Sequence, residues 1–131
     1  MSSDVMQRQN FAIGETIFPE GGFGDVAYVV QIGQVEIAKT TAKGERKVLG
    51  YIGNGGMFGE MALIDGRPRM ASATAVKPTT CLIIRRDVFE RKLEAADPFV
   101  KGLLRILVRN LRSVADEIAP HPVSPASPPA A

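Results

Sequence analysis

The stretch VAYVVQIGQVEIAKTTAKGERKVLGYI, residues 26–52, decides the fold class. Three runs within it, Val26–Gln31, Gln34–Thr40 and Arg46–Ile52, are rich in Val, Ile and Tyr. Branched and aromatic side chains suit a pleated, half-buried surface, so these runs read as strands. Ile32-Gly33 and Lys43-Gly44 separate them, and glycine reaches the positive φ that tight turns demand. Working outward, two more runs, Ala71–Val76 and Thr80–Ile84, flank a Lys77-Pro78 turn. Short strands at such regular spacing predict an antiparallel sandwich or barrel. Glycine placement agrees, because all of the 13 except Gly102 fall between Gly14 and Gly66. Turns and strands therefore belong to the first part of the chain and helices to the second.

The period changes at Arg86. Asp87 reads as an N-cap, and Val88, Phe89 and Leu93 follow at helical spacing. Asp97-Pro98 reads as a second N-cap with proline at the first helical position. Beyond it, Val100, Leu104, Leu107, Leu111, Val114 and Ile118 recur by alternating steps of four and three, and Phe99, Leu103 and Ile106 widen the stripe. Arg105, Arg109, Arg112 and Asp116 occupy much of the remainder, which predicts an amphipathic helix over 99–118. The expected organisation is a polar N-terminal segment, 1–10, one domain over 11–118, and a Pro/Ala/Ser tail, 119–131. The tail has too little apolar mass to pack, so it is expected to be disordered and dispensable for binding.

Composition narrows the chemistry. The chain has 131 residues, room for one ordinary domain. A hydrophobic share of 45% and a charged share of 23% are those of a globular protein. A net charge of +2 is too small to draw nucleic acid or an anionic membrane by bulk attraction. Cys81 is the single cysteine and His121 the single histidine, which leaves no internal disulfide and little material for a zinc site or a Ser-His-Asp triad. Cys81 sits in an apolar run and reads as a small buried hydrophobe. No apolar run is long enough for a membrane-spanning helix, and Met1–Asn10 lacks the apolar core of a secretion signal. A cytoplasmic location without membrane insertion is the expectation.

The candidate site lies in GGMFGEMALIDGRPRMAS, residues 55–72. Glycines at 55, 56 and 59 allow close approach of the backbone to a ligand. Glu60–Ile64 makes about one helical turn, ended by Asp65-Gly66, and its leading N–H groups suit a phosphate. Pro68 stiffens the approach to Arg69, whose guanidinium can grip an anion with two donors. Glu60 would repel an anion unless the ligand also offers a hydroxyl, as a ribose does. Each feature taken alone has a plainer reading: a Gly-Glu pair is often a solvated turn, and a lone arginine a surface charge. A nucleoside-triphosphatase phosphate loop is excluded, because no Gly-Lys-Ser/Thr follows the glycines.

Phe58-Gly59-Glu60-Met61-Ala62-Leu63-Ile64, continued by Pro68-Arg69 and Ala71-Ser72, resembles the phosphate-binding cassette of cyclic-nucleotide-binding domains. Gly14-Glu15-x-Ile17, Gly24-Asp25-x-Ala27-Tyr28-x-Val30 and Gly33-x-Val35-Glu36-Ile37 are similar to that family's early strands. The resemblance is strongest to prokaryotic cyclic-nucleotide-gated potassium channels and cAMP-dependent protein kinase regulatory subunits, with catabolite activators more distant. It implies a mainly β fold: an eight-stranded antiparallel β-roll, jelly-roll-like, with a short cassette helix and C-terminal helices. It further implies that Glu60 accepts the ribose 2′-hydroxyl and that Arg69 binds the cyclic phosphate. Backbone N–H groups around Gly59, Met61, Ala62 and Ala71 complete the cradle, and Ser72 stands where many members carry Thr. Met70 departs from members that favour cGMP, which often have Thr there, so cAMP is the expected ligand and cGMP the alternative. Arg105, Arg109 and Asn110 are candidates to reach the base.

These residues are expected to make a ligand sensor rather than an enzyme, with no cofactor or metal. No helix-turn-helix follows Ile118, so no nucleic-acid partner is expected. The downstream effector is unspecified. A complete small protein is the first expectation, and an excised regulatory module of a channel or kinase the alternative. A lone roll would not cover the full apolar width of the last helix. That helix is therefore expected to close as a lid over the ligand or, second, to pair with another copy in a weak homodimer.

Overall fold

The computed structural model describes residues 7–118, with side chains through Val114. Its strands are β1 (Gln7–Phe11), β2 (Thr16–Phe18), β3 (Val26–Ile32), β4 (Val35–Thr40), β5 (Arg46–Ile52), β6 (Met57–Phe58), β7 (Ser72–Ala75) and β8 (Thr79–Arg85). They form two four-stranded antiparallel sheets, ordered β1-β8-β3-β6 and β2-β7-β4-β5. Helix α1 (Glu60–Asp65) interrupts the strands, and α2 (Arg86–Glu94) and α3 (Pro98–Ile118) follow them. The expected mainly β roll with a cassette helix and C-terminal helices is the architecture found.

The core lies between the sheets. Phe11, Tyr28, Val30, Val35, Phe58, Ala73, Ala75 and Cys81 are buried there together. On β7 the sequence Ser-Ala-Thr-Ala alternates half-buried and buried, so both alanines point inward, as a period of two requires. Tyr28 and Phe58 stack with centroids 4.9 Å apart, and Phe18 packs beside both. Gly33 turns β3 into β4 at φ 122°, where a Cβ would collide with Thr79 and the Pro78 carbonyl. Cys81 is buried as expected, and burial pushes its thiol pKa up to about 11.

Two sequence expectations change. The first strand begins at Gln7, inside the segment set apart as polar. β1 is an edge strand with only Phe11 buried, and it binds β8 through its backbone, so polar side chains do not prevent it. The N-cap of α2 is Arg85, not Asp87, whose carboxylate instead accepts from the Arg85 guanidinium at 2.7 and 3.0 Å. As its width implies, the apolar stripe of α3 is left largely uncovered by the roll. Val108 and Arg112 turn inward, while Phe99, Val100, Leu103, Ile106, Leu107, Leu111 and Val114 are exposed. Asp97 does cap α3, accepting the Phe99 N–H at 2.7 Å. The tail expectation, 119–131, lies outside the described residues.

Candidate functional site

Helix α1 begins and ends on glycines in the left-handed region, Gly59 at φ 80° and Gly66 at φ 68°. Gly59 offers no side chain to cap its first turn. The loop after Gly66 is laced to the β2–β3 loop: the Arg69 N–H donates to the Gly22 carbonyl at 2.7 Å, and Gly21 N–H to the Arg69 carbonyl at 2.8 Å. This pairing fixes where the Arg69 side chain departs.

Arg69 is 5% exposed. Its Nη1 donates to the Gly59 carbonyl and its Nη2 to the Val26 carbonyl, both at 2.7 Å. The guanidinium lies 4.2 Å over the Phe18 ring. Its Nε is buried without a hydrogen-bond partner, and among the described residues Arg69 makes no ion pair. Burial lowers its pKa from the ordinary arginine value, with Arg86 adding to that and Tyr28, Asp25 and Glu60 opposing it. Arginine nevertheless stays protonated. A buried cation held only by carbonyls and an aromatic face is a strong attractor for an anion.

The cation reaches its place because two residues lack a Cβ. At Gly24 a Cβ would overlap the Arg69 guanidinium, and at Gly59 it would fall 2.8 Å from Nη1 and 3.3 Å from the Phe18 ring. Gly59 was a sequence candidate; the part played by Gly24 was not foreseen.

Arg69 lines a cavity of about 180 Å³ together with Gly59, Glu60, Met61, Ala62, Met70 and Ala71. Phe18, Ile37, Ile52, Met57 and Phe58 give it apolar walls. That cavity has room for one small molecule. Glu60 is half-buried, and burial raises its carboxyl pKa above the ordinary value, with its own backbone N–H and Arg69 pulling the other way. One cavity therefore combines an acceptor, a donor fork and apolar surface.

Four candidates fall outside it. The Ser72 hydroxyl donates to the Ala38 carbonyl at 3.1 Å on β4 and does not line the cavity. Arg105, Arg109 and Asn110 are exposed and do not line it either, because α3 presents a different face. The α3 residue that does reach the cavity is Arg112, 6% exposed. It donates to both Asp65 oxygens, from Nε at 2.5 Å and Nη2 at 3.0 Å, and from Nη1 to the Pro68 carbonyl at 3.1 Å. The sequence placed Arg112 on the polar side of the helix, with nothing local to distinguish it from its neighbours. Among the described residues no group of three or more His, Cys, Asp or Glu could hold a metal, and no helix is long and apolar enough to cross a membrane.

The family model of the cyclic nucleotide-binding domain matches residues 8–96. The chain is 32% identical over 114 residues to a CRP-like cAMP-activated global transcriptional regulator of Mycobacterium tuberculosis, covering 87% of this chain and 51% of that one. It is 36% identical over 103 residues to a cAMP-dependent protein kinase regulatory subunit of Hypocrea atroviridis, covering 79% of this chain and 20% of that one. Among solved structures, the cAMP-bound form of the EAL enzyme Bd1971 has a TM-score of 0.77 at 37% identity, covering 86% of this chain and 30% of that one. Its cGMP-bound form matches at 34% identity with the same TM-score, covering 85% and 30%. The chain thus spans about half the length of the bacterial regulator and a fifth of the kinase subunit. The regulator, of the type expected to be more distant, matches a larger share of this chain than the kinase subunit does.

Proposed function

The chain belongs to the cyclic nucleotide-binding domain family, and from that premise we propose that it is a cytoplasmic sensor of cAMP, acting as a regulatory module without catalytic activity of its own. One observation carries this reading: Arg69, buried and without an ion pair, lines the same cavity as Glu60. Arg69 takes the cyclic phosphate, with N–H groups at Gly59, Met61, Ala62 and Ala71 around it. Glu60 accepts the ribose 2′-hydroxyl, and Met70 packs against the purine as a soft, polarisable surface.

The preference for cAMP rests on Met70, which offers guanine no hydroxyl. The similar EAL enzyme has both cAMP-bound and cGMP-bound forms, so the fold alone does not decide the base. Calorimetry on nucleotide-free protein is expected to give tighter binding of cAMP than of cGMP. Equal or tighter cGMP binding removes the preference, and binding of neither removes the function.

The response is carried by α3, which touches the cavity through Arg112. Its exposed apolar side favours a second element of the same reading, a weak homodimer through paired α3 helices. Sedimentation equilibrium on the calorimetry samples is expected to show concentration-dependent association, and a strictly monomeric chain at millimolar protein excludes it. No nucleic-acid contact is assigned to these residues, and the effector that reads α3 is not specified by them.

Glu60 gives a prediction with two opposite signs. Its folded-state pKa is raised, so the folded state binds the proton more tightly than the unfolded chain does. Stability of the unliganded protein therefore falls as pH rises from the ordinary carboxylate value through the raised one, and the cost is present in full above it. Glu60→Gln is expected to raise the Tm of unliganded protein at pH 7 while weakening cAMP binding roughly tenfold or more, the loss of a charged hydrogen bond. Thermal scans and calorimetry on the same sample check both signs. A variant that loses stability or keeps full affinity contradicts this role.

A further inference from the structure

We propose that Lys39 is a positioning residue for the phosphate side of the cavity, acting through the peptide between Met70 and Ala71. The inference rests on reading the cavity as a cyclic-nucleotide site. Lys39 lies on β4, and its side chain is 1% exposed, the largest of the fully buried side chains. An ammonium is costly to desolvate unless its hydrogens are used. Here Nζ donates to the Met70 carbonyl at 3.1 Å and lies 3.5 Å from Glu20 Oε2. The other Glu20 oxygen accepts the Thr40 N–H at 2.8 Å, so the carboxylate is itself anchored to the same strand.

What this bolt holds is the point of the argument. Met70 and Ala71 both line the cavity, directly after Arg69. In a trans peptide the C=O and N–H point in opposite directions. A Met70 carbonyl held toward Nζ therefore keeps the Ala71 N–H turned away from Lys39. The Lys39 charge also polarises that peptide and makes its N–H a better donor. An apolar side chain of similar length would fill the space but leave the Met70 carbonyl without this partner. The sequence shows only a lysine inside a strand; the contact joins residues 31 apart.

The test uses the full chain, with calorimetry for affinity and the Ala71 backbone amide resonance of unliganded protein for geometry. Unmutated protein is measured first: if it binds no cyclic nucleotide, the reading of the cavity fails, and this role with it. Given binding, Lys39→Met is expected to weaken cAMP about tenfold, to shift the Ala71 resonance, and to leave the weaker binding of adenosine, which has no phosphate, unchanged. Lys39→Gln, which keeps a donor without the charge, should recover part of the affinity. An affinity for cAMP unchanged in Lys39→Met, or equal losses for cAMP and adenosine, overturns the proposal. Should Lys39→Met not fold, Glu20→Gln decides: a weaker cAMP affinity with a shifted Ala71 resonance supports the role, and no change in either overturns it.

Discussion

Arg69→Ala is expected to weaken cAMP binding by about 2–5 kcal/mol, roughly thirty- to several-thousandfold. The size follows from where the charge sits. Arg69 is 5% exposed, its Nη atoms are committed to the Gly59 and Val26 carbonyls, and one face lies on Phe18. A phosphate bound there leaves water for a site whose other walls are largely apolar, and without the guanidinium its charge is met by N–H dipoles and by Arg112, which Asp65 already neutralises. In the free protein the same substitution removes a desolvated cation but strands two carbonyls, and these opposing changes leave stability much less affected than affinity. Arg69→Lys separates charge from shape, because an ammonium keeps the charge and loses the fork that spans Gly59 and Val26. It should bind with intermediate affinity. Calorimetry across wild type, Arg69→Lys and Arg69→Ala reads the series, and an alanine variant within threefold of wild type would mean that Arg69 is not the phosphate anchor.

How much of this was legible in the sequence depends on whether the cause was local. The β3, β4 and β5 runs could be read because their side-chain preferences and the glycine turns at 33 and 44 act within a few residues. Asp97 and Pro98 could be read as a helix start for the same reason. β1 escaped because an edge strand needs only its backbone and one buried end, Phe11, and Gln7–Asn10 carry no apolar alternation. The ligand candidates of the cassette come as a set, through a resemblance, and of Gly59, Glu60, Met61, Ala62, Arg69, Met70, Ala71 and Ser72 all but Ser72 line one cavity. Ser72 does not, because the strand register turns its hydroxyl toward Ala38. The last helix could be read as amphipathic, with a stripe too wide for the roll to cover, but not which residues it would turn inward. Its apolar stripe was the stronger pattern, yet the inward direction is set by Asp65, a residue 47 positions away that only the folded chain brings to Arg112. Arg105, Arg109 and Asn110 lie outside the cavity of the unliganded chain.

Arg112→Ala is therefore expected to have the largest effect on the helix. The guanidinium spends three nitrogens on α1 and its following loop, two of them on the Asp65 carboxylate and one on the Pro68 carbonyl. Removing one partner of a buried pair costs about 3–5 kcal/mol, but the Asp65 side chain keeps 19% exposure, so water recovers part and about 2–3 kcal/mol remains. For a domain of this size that lowers Tm by roughly 10 °C. The loss falls unevenly. Among the described residues of α3, Val108 is the other side chain buried as completely as Arg112, while seven large apolar residues face outward. With so little else attaching it, α3 should open locally at far lower cost than the sheets. Hydrogen exchange reads this directly. In wild type, cAMP should slow exchange over residues 58–72 and also over 99–118, because a ligand that orders α1 and the Arg69 loop strengthens the platform on which Arg112 is seated. In Arg112→Ala the protection of 58–72 should persist and that of 99–118 should vanish. Asp65→Asn, which keeps a hydrogen-bond acceptor and loses the charge, should lie between the two. If 99–118 remains as protected by cAMP in Arg112→Ala as in wild type, α3 is coupled to the cavity by something other than this pair.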